Sequence, residues 1–194
     1  MRRICIFCGS SPGKDPIHAD AARRLGDLLA RRGIGIVTGG GHIGLMGVLA
    51  DAALAGGGEV IGVIPRSLEA KELAHTGLTQ LQVVGSMHER KARMADLADA
   101  FAAMPGGYGT ADEFFEILTW AQLGLHAKPV GLLNTAGYFD PLLAWIDRTV
   151  EEGFLRASHR DLLRVAWGPE ELVEVLLRDR PAVKETKWIE PGER

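Results

Sequence analysis

The sequence predicts an α/β protein in which helices flank a doubly wound, Rossmann-like parallel sheet in a single domain. Short β-rich apolar runs alternate along the chain with longer segments of helical period, as in repeated βαβ units. The predicted strands are apolar throughout, which is typical of strands covered on both faces. Many of the 25 glycines cluster at 33–47, 56–62 and 106–109, where a backbone turns sharply or approaches a ligand.

The predicted strands and helices alternate along most of the chain. They are a strand in RRICIFCG, a helix over 16–32, a strand in IGIVTG, a helix over 45–55, a strand in EVIGVIP, an irregular stretch through residue 75, a strand in LTQLQVVG, a helix over 86–97, a strand in DAFAAMPG, a helix over 110–124, a strand in PVGLLN, a helix over 139–152 and a last β-α unit at LLRVAW and PEELVEVLLRD. Ligands of such folds bind at the carboxyl ends of the strands, where the strand order reverses. The domain is predicted over residues 1–180, and residues 181–194 are expected to form a flexible tail.

Composition restricts the classes of partner. A chain of 194 residues suits one domain with a substantial core. The formal net charge of −3 gives no general attraction to nucleic acid or to an anionic membrane, so neither is a predicted partner. The apolar run after the basic start is too short for a signal peptide, and no run of about 20 apolar residues occurs. We therefore expect a soluble, cytoplasmic protein whose phosphate site, if any, is local.

The two cysteines are predicted to be structural. Cys5 and Cys8 form CIFC, which has the spacing of a redox or metal pair. In a strand, residues three apart point to opposite faces, so these thiols are expected to be two small buried hydrophobes. His42 and His75 are isolated loop histidines, and no group of potential ligands has a convincing metal spacing. No metal and no cofactor are predicted.

The second glycine cluster has the literal spacing of a dinucleotide-binding loop. Gly39, Gly41 and Gly44 satisfy GxGxxG between a strand and a helix. The dinucleotide motif follows the first strand of its unit and needs an acidic residue at the end of the next strand, whereas Glu59 begins that strand here. An NAD-linked oxidoreductase is therefore disfavoured, although a helix N terminus lined with glycine amides remains a candidate phosphate site.

The stretch MPGGYGTADE has two interpretations. Thr110 and Glu113 form T-x-x-E, the capping box of an ordinary helix start. A cap needs no Gly-Gly-x-Gly before it, whereas an anion held by backbone amides at the positive end of a helix does. On the second interpretation Glu113 lies in the first turn beside a bound phosphoester. Glu116 and Trp120 follow on nearly the same helical face.

The stretch SMHERKARM places cations at the start of a helix. Ser86 is the expected cap, and the early turns that follow are where the helix dipole disfavours positive charge. These cations fall at the carboxyl edge of the sheet, where they can meet a phosphate. A solvated basic face balanced by Glu89 and Asp96 is the alternative. The cations are His88, Arg90, Lys91 and Arg93.

Taken together, GGGHIGLMG, SMHERKARM and PGGYGTADEFFEILTWAQLGLHAKPVGLLN resemble the LOG (Lonely Guy) family of cytokinin riboside 5'-monophosphate phosphoribohydrolases. The likeness covers most of the chain, and residues 105–113 match the family pattern PGGxGTxxE without a gap. Plant members commonly read Leu-Glu-Glu where this chain has Ala111, Asp112 and Glu113, which preserves both charges. Members of the family were long labelled lysine decarboxylases, a label that needs a pyridoxal lysine and usually a much larger chain.

The resemblance implies hydrolysis of the N-glycosidic bond of AMP or an N6-substituted AMP, releasing the base and ribose 5-phosphate, by a homodimer. It implies Glu113 as the catalytic carboxylate beside an oxocarbenium-like centre, and Arg90 as the catalytic arginine that orients Glu113 and the nucleotide. Two points stay open: whether Glu113 attacks covalently or assists water, and whether Glu116 is a second carboxylate or the purine leaves without a protein acid. The substrate-binding residues are then Glu72, Lys91, Gly106, Gly107, Tyr108, Gly109, Thr110, Thr119, Ser10, Gly40, Gly41 and Met87.

A non-catalytic binding protein is the runner-up hypothesis. Related Rossmann-like proteins with a PGG loop carry a molybdenum cofactor or another nucleotide without hydrolysing it. The two classes differ at Glu113 and Arg90, and because this chain has both residues the enzyme is favoured. The choice between AMP and prenylated AMP depends on the size of an apolar pocket for the N6 group.

Overall fold

The computed structural model describes residues 1–69 and 74–178, and these form a seven-stranded parallel sheet flanked by helices. The strands are β1 (Arg3–Phe7), β2 (Gly35–Thr38), β3 (Val60–Pro65), β4 (Gln80–Val84), β5 (Ala100–Ala103), β6 (Val130–Leu133) and β7 (Leu163–Ala166). The helices are α1 (Pro16–Arg31), α2 (Gly44–Ala55), α3 (Arg66–Glu69), α4 (Met87–Leu97), α5 (Tyr108–Gln122), α6 (Asp140–Glu151), α7 (Ala157–Arg160) and α8 (Pro169–Leu177), with a 3₁₀ turn at Thr135–Gly137. The predicted fold is confirmed; the short helices α3 and α7 were not predicted, and the predicted tail lies outside the described residues.

No helix in the described part of the chain has the length and apolarity to cross a membrane.

The strand order places a ligand crevice between β1 and β5. The sheet runs β4-β3-β2-β1-β5-β6-β7, so the chain first adds strands outward from β1 and then returns to its other side. Cys5 of β1 pairs with Val37 on one side and with Phe101 on the other. The order therefore reverses at β1 and β5, which is where doubly wound sheets bind their ligands.

The sheet separates two apolar clusters. Ile4, Ile6 and Cys8 pack against α1, α2 and α8, whereas Cys5 and Phe7 pack with residues of α4, α5 and α6 on the opposite face. The prediction that the two thiols diverge is thus confirmed. Burial raises the pKa of both thiols, that of Cys8 to about 12, so both behave as small hydrophobes.

The helices that border the crevice begin differently. Ser86 caps α4 as predicted, because its hydroxyl accepts the Glu89 N–H at 3.1 Å. Of the two interpretations of the stretch at the start of α5, the capping box of Thr110 and Glu113 is wrong. That helix begins at Tyr108, two residues before Thr110. Its N-cap residue is Gly107, so no side chain accepts a hydrogen bond from the amides of the first turn. Glu113 therefore lies in the second turn, where its carboxylate can reach a tertiary partner.

Candidate active site

The loops after β1, β2 and β5 meet at the switch point, where ligands of doubly wound sheets bind. The Gly9 N–H donates to the Pro105 carbonyl at 3.0 Å, and the Leu45 N–H donates to the Gly9 carbonyl at 3.0 Å. A Cβ on Gly44 would lie 2.3 Å from the Ser10 carbonyl carbon, so the β1 loop rests on the start of α2. The N terminus of α2 is consequently packed against the chain itself, which argues against the phosphate site considered there.

A buried ion pair joins α4 to α5. The Arg90 Nη2 atom lies 3.4 Å from Glu113 Oε1, and the two side chains are only 7% and 11% exposed. Burying two charges is costly unless each has good partners. Arg90 Nε is also buried and has no hydrogen-bond partner among the described residues. The pair is therefore poorly optimised for stability, which is typical of groups held ready for a ligand.

Gly39 makes room for this arginine. A Cβ at Gly39 would lie 2.0 Å from Arg90 Nη2, a distance that no real side chain tolerates. The neighbouring amides already donate within the chain, since the Gly40 N–H bonds to Thr38 Oγ1 at 3.0 Å and the Gly41 N–H contacts Met46 Sδ at 3.3 Å. The GxGxxG spacing thus has a packing explanation, and it provides no dinucleotide loop.

Lys91 forms a second connection between the same helices. Its Nζ lies 3.0 Å from Asp112 Oδ2 and 3.2 Å from Glu116 Oε1, with the side chain 12% exposed. Burial alone would lower the pKa of Lys91, but the hydrogen bonds to both carboxylates outweigh it and raise the pKa. Glu116 Oε2 is buried without a hydrogen-bond partner in the described part of the chain. Arg90 and Lys91 are therefore not on a solvated basic face, whereas His88 and Arg93 are exposed, as that alternative expected.

The glycine loop after β5 is open. A Cβ at Gly107 or at Gly109 would meet nothing within 4 Å, and neither residue has a positive φ. The chain itself therefore does not require glycine at these two positions. The first N–H groups of any helix lack intrahelical partners and attract anions. No side chain caps α5, and Tyr108 at its first position is 97% exposed.

The other predicted residues lie at different depths. Thr110 is buried, and its hydroxyl oxygen packs against Gly106, because a Cβ at Gly106 would lie 2.1 Å from it. Ser10 is exposed on the β1 loop, and Met87 Sδ lies 3.8 Å from Arg90 Nη1. Thr119 is exposed on α5, farther along the helix than Glu113, and Glu72 lies outside the described residues. No cluster of three or more His, Cys, Asp or Glu side chains suited to a metal occurs in residues 1–69 and 74–178.

Three residues at this site were missed from the sequence. Gly39 was interpreted only as part of a phosphate-binding loop. Asp112 was interpreted only as a position at which plant members of the family commonly have glutamate. Asp112 precedes Glu116 by one helical turn, a spacing that could have indicated a shared cation. Tyr138 donates its hydroxyl to the Gly106 carbonyl at 2.6 Å across 32 residues of chain, and nothing local signals that contact.

A Rossmann-like sheet with an open glycine-rich helix N terminus at its switch point defines a class of α/β proteins that bind phosphates and nucleotides. Residues 46–176 match the family described as possible lysine decarboxylase. The chain is 50% identical over 192 residues to the probable cytokinin riboside 5'-monophosphate phosphoribohydrolase LOGL2 of Oryza sativa subsp. japonica, covering 97% of this chain and 79% of that protein. It is 51% identical over 176 residues to the cytokinin riboside 5'-monophosphate phosphoribohydrolase LOG3 of Arabidopsis thaliana, covering 91% and 82% respectively. The chain belongs to the LOG family.

Solved structures share the fold at lower identity. The molybdenum cofactor binding protein of Rippkaea orientalis superposes with a TM-score of 0.67 at 23% identity, covering 90% of this chain and 95% of that one. The molybdenum cofactor carrier protein of Chlamydomonas reinhardtii gives 0.68 at 21% identity, covering 90% and 94%. At this identity the likeness concerns the fold alone.

Proposed function

We propose that this protein hydrolyses the N-glycosidic bond of N6-substituted adenosine 5'-monophosphates, releasing the free base and ribose 5-phosphate. The observation that carries the proposal is the buried Arg90–Glu113 pair beside an open glycine-rich helix N terminus. The relatives at about 50% identity are named for this reaction, which supports the same chemistry here.

The description as a possible lysine decarboxylase implies a lysine that forms a Schiff base with pyridoxal phosphate. Among the described residues Lys91 is the lysine at this site, and it does not fit that role. Its ammonium group is held by Asp112 and Glu116, and its raised pKa keeps it protonated, whereas a Schiff-base lysine must lose its proton. The reaction we propose uses no such group.

In the proposed mechanism the amides at residues 106–110 bind the 5'-phosphate. The positive end of the α5 dipole adds to this attraction, and Lys91 supplies a nearby positive charge. Glu113, in the second turn of the same helix, faces the ribose. The phosphate is thus held by the start of the helix that also carries the catalytic carboxylate, so binding one end of the nucleotide positions the other.

Bond cleavage then develops positive charge on the ribose. The bond between C1' and the base nitrogen breaks, its electron pair leaves with the base, and the base takes up a proton. Glu113 stabilises the oxocarbenium-like centre, and Arg90 orients the carboxylate. Water supplies the hydroxyl that ends on C1', either directly or after Glu113 has formed an ester there. The configuration of the methyl riboside formed in aqueous methanol distinguishes the two routes, since direct attack inverts C1' and two displacements retain it.

The test is chromatographic detection of free base and ribose 5-phosphate from AMP and from N6-isopentenyl-AMP. We expect equimolar base and ribose 5-phosphate, and the ratio of the two rates gives the preferred N6 group. Tight nucleotide binding without release of base from either substrate would contradict the proposal. That outcome would favour a carrier of nucleotides or of a molybdenum cofactor, the activity for which the proteins of similar fold are named.

We also propose that the protein is a cytoplasmic homodimer. Trp145 on α6 is 57% exposed and Phe154 is 86% exposed, and large exposed apolar side chains favour a protein interface. The free cysteines Cys5 and Cys8 suit a reducing compartment. Light scattering should give twice the 20.9 kDa chain mass, and Trp145→Ser should lower it towards one chain. A monomeric wild-type protein at micromolar concentration would contradict the dimer.

A further inference from the structure

The two carbonyl groups at the start of the glycine loop are each held by a hydrogen bond from another loop. The Pro105 carbonyl accepts the Gly9 N–H at 3.0 Å, and the Gly106 carbonyl accepts the Tyr138 hydroxyl at 2.6 Å. Gly9 follows β1, and Tyr138 follows β6. Each of these two peptides is therefore oriented by a different neighbouring loop.

The direction of a carbonyl group sets the direction of the next N–H. In a planar trans peptide the C=O and N–H bonds point to opposite sides. Because the Gly106 carbonyl is turned towards the Tyr138 hydroxyl, the N–H of Gly107 is turned away from Tyr138. Gly107 itself is exposed at the start of α5.

We propose that Tyr138 is a positioning residue of the phosphate site, whose hydroxyl fixes the peptide between Gly106 and Gly107 so that the Gly107 N–H faces the ligand. This inference rests on the proposed function, since it takes the phosphate of the nucleotide to bind at this loop. Tyr138 itself does not contact the reacting atoms.

The glycine loop needs such an external restraint. A Cβ at Gly107 would meet nothing within 4 Å, so this end of the peptide has no packing partner, whereas a Cβ at Gly106 would lie 2.1 Å from Thr110 Oγ1. Rotation would replace the N–H by a carbonyl oxygen, which repels a phosphate. The Tyr138 hydroxyl holds the oxygen on the far side and thereby prevents that exchange before the ligand arrives.

The tyrosine is in turn held in place by its own loop. Asn134 is fully buried, and its side chain accepts the Phe139 N–H at 2.7 Å and donates to Asp140 at 2.7 Å. The Tyr138 ring lies edge-on to Phe139, with centroids 4.8 Å apart, and to His18 at 5.7 Å. Its hydroxyl is therefore preorganised for the Gly106 carbonyl, as a support for a binding group must be.

Tyr138→Phe removes the hydroxyl and keeps the ring contacts. We expect the dissociation constant of ribose 5-phosphate, measured by calorimetry, and the KM for AMP to rise roughly tenfold, which is the effect of one hydrogen bond. The kcat for AMP should change less than about threefold, and the slow hydrolysis of adenosine, which has no phosphate, should be unchanged. Thr149→Val is the matched control, because the Thr149 hydroxyl donates to the Ile146 carbonyl at the same 2.6 Å within α6 and should leave the affinity for ribose 5-phosphate unchanged.

The outcomes separate this inference from the proposed reaction. Wild-type affinity for ribose 5-phosphate in Tyr138→Phe would overturn the positioning role, and so would an equal loss of activity on AMP and adenosine. If the wild type binds ribose 5-phosphate but releases no base from AMP, the reaction is wrong, and the calorimetric comparison still decides the role of Tyr138. If the wild type binds no ribose 5-phosphate, both the phosphate site and this inference are overturned.

Discussion

The two glycine-rich loops of the crevice look alike in sequence but differ in what their glycines do. In the loop after β2, a Cβ at Gly39 would lie 2.0 Å from Arg90, and in the helix α2 that follows it one at Gly47 would lie 1.8 Å from the His42 carbonyl oxygen. In the loop after β5, a Cβ at Gly107 or Gly109 would meet nothing within 4 Å. The first loop is packed against the rest of the chain, whereas the second leaves space at Gly107 and Gly109, although its first glycine, Gly106, packs against Thr110. The difference shows that a glycine motif indicates a ligand only where neither packing within the protein nor a positive φ requires glycine.

The comparison assigns separate tasks to the two loops. The first loop positions the arginine of the catalytic pair, and the second presents amides to the phosphate. Substitutions in the first loop should therefore reduce kcat, whereas substitutions in the second should raise KM.

The largest effect is expected at the carboxylate that the two loops serve. Glu113→Gln keeps the shape and removes the charge that stabilises the transition state, so kcat should fall about 1,000-fold. Binding of AMP should stay within about threefold, because the phosphate contacts remain. Release of base by the variant measures the effect, with Glu152→Gln at the end of α6 as the exposed control. Near-normal turnover would remove Glu113 from the mechanism.

Gly39→Ala tests the first loop. The new Cβ must displace the Arg90 guanidinium, and a shift of about 1 Å in a catalytic group can cost about 100-fold. We expect kcat to fall roughly 10- to 100-fold with little change in KM. Gly168→Ala is the matched control, since a Cβ there would lie 3.9 Å from its nearest neighbour and φ is −140°. A change in KM alone would show instead that this loop contacts substrate.

Gly109→Ala tests the second loop, and here stability and binding should change in opposite senses. Gly109 lies within the first turn of α5, and replacing a helical glycine by alanine stabilises by about 0.5–1 kcal/mol. The added methyl group occupies the space meant for the phosphate, so the KM for AMP should rise roughly tenfold. Urea unfolding and steady-state kinetics give the two quantities. A stabilised protein with an unchanged KM would mean that no ligand approaches Gly109.

The smallest effect is expected at the far end of α5, away from both loops. Burial is the main cause that lowers the pKa of His126 below its ordinary value of 6.5. The hydrogen bond that Nε2 donates to the Ile117 carbonyl raises the pKa, but burial and the positive charge of Lys128 outweigh it, so the folded state favours the neutral ring. The unfolded state then binds the proton more readily than the folded state. The contribution of His126 to the free energy of unfolding is therefore fully present above pH 6.5 and is lost as the pH falls through the lowered pKa. Between pH 7.5 and 5.5, the free energy of unfolding measured in urea should fall more in the wild type than in His126→Gln. Equal decreases in the two proteins would contradict this role of His126.

Local patterns predicted the fold and part of the site. The alternation of apolar runs and helical segments indicated the parallel sheet, and the glycine clusters located its carboxyl edge. The capping-box interpretation was wrong because the T-x-x-E sequence lies inside a helix that begins two residues earlier. The glycines that precede it were considered only as residues whose amides bind an anion, and not as part of the helix start. The burial of Arg90 was not predictable, since a charge run in sequence is ordinarily solvated. The Gly39–Arg90 and Tyr138–Gly106 contacts join residues distant in the chain, which only the folded sheet brings together.

A crystal structure of Glu113→Gln with AMP tests the central claim most directly, because it shows which of the two loops holds the phosphate. The account predicts phosphate oxygens about 3 Å from backbone nitrogens of residues 106–110, with the ribose C1' beside Arg90 and the side-chain amide that replaces the Glu113 carboxylate. A phosphate bound instead on the amides of Gly40 and Gly41, with an empty loop after β5, would contradict it.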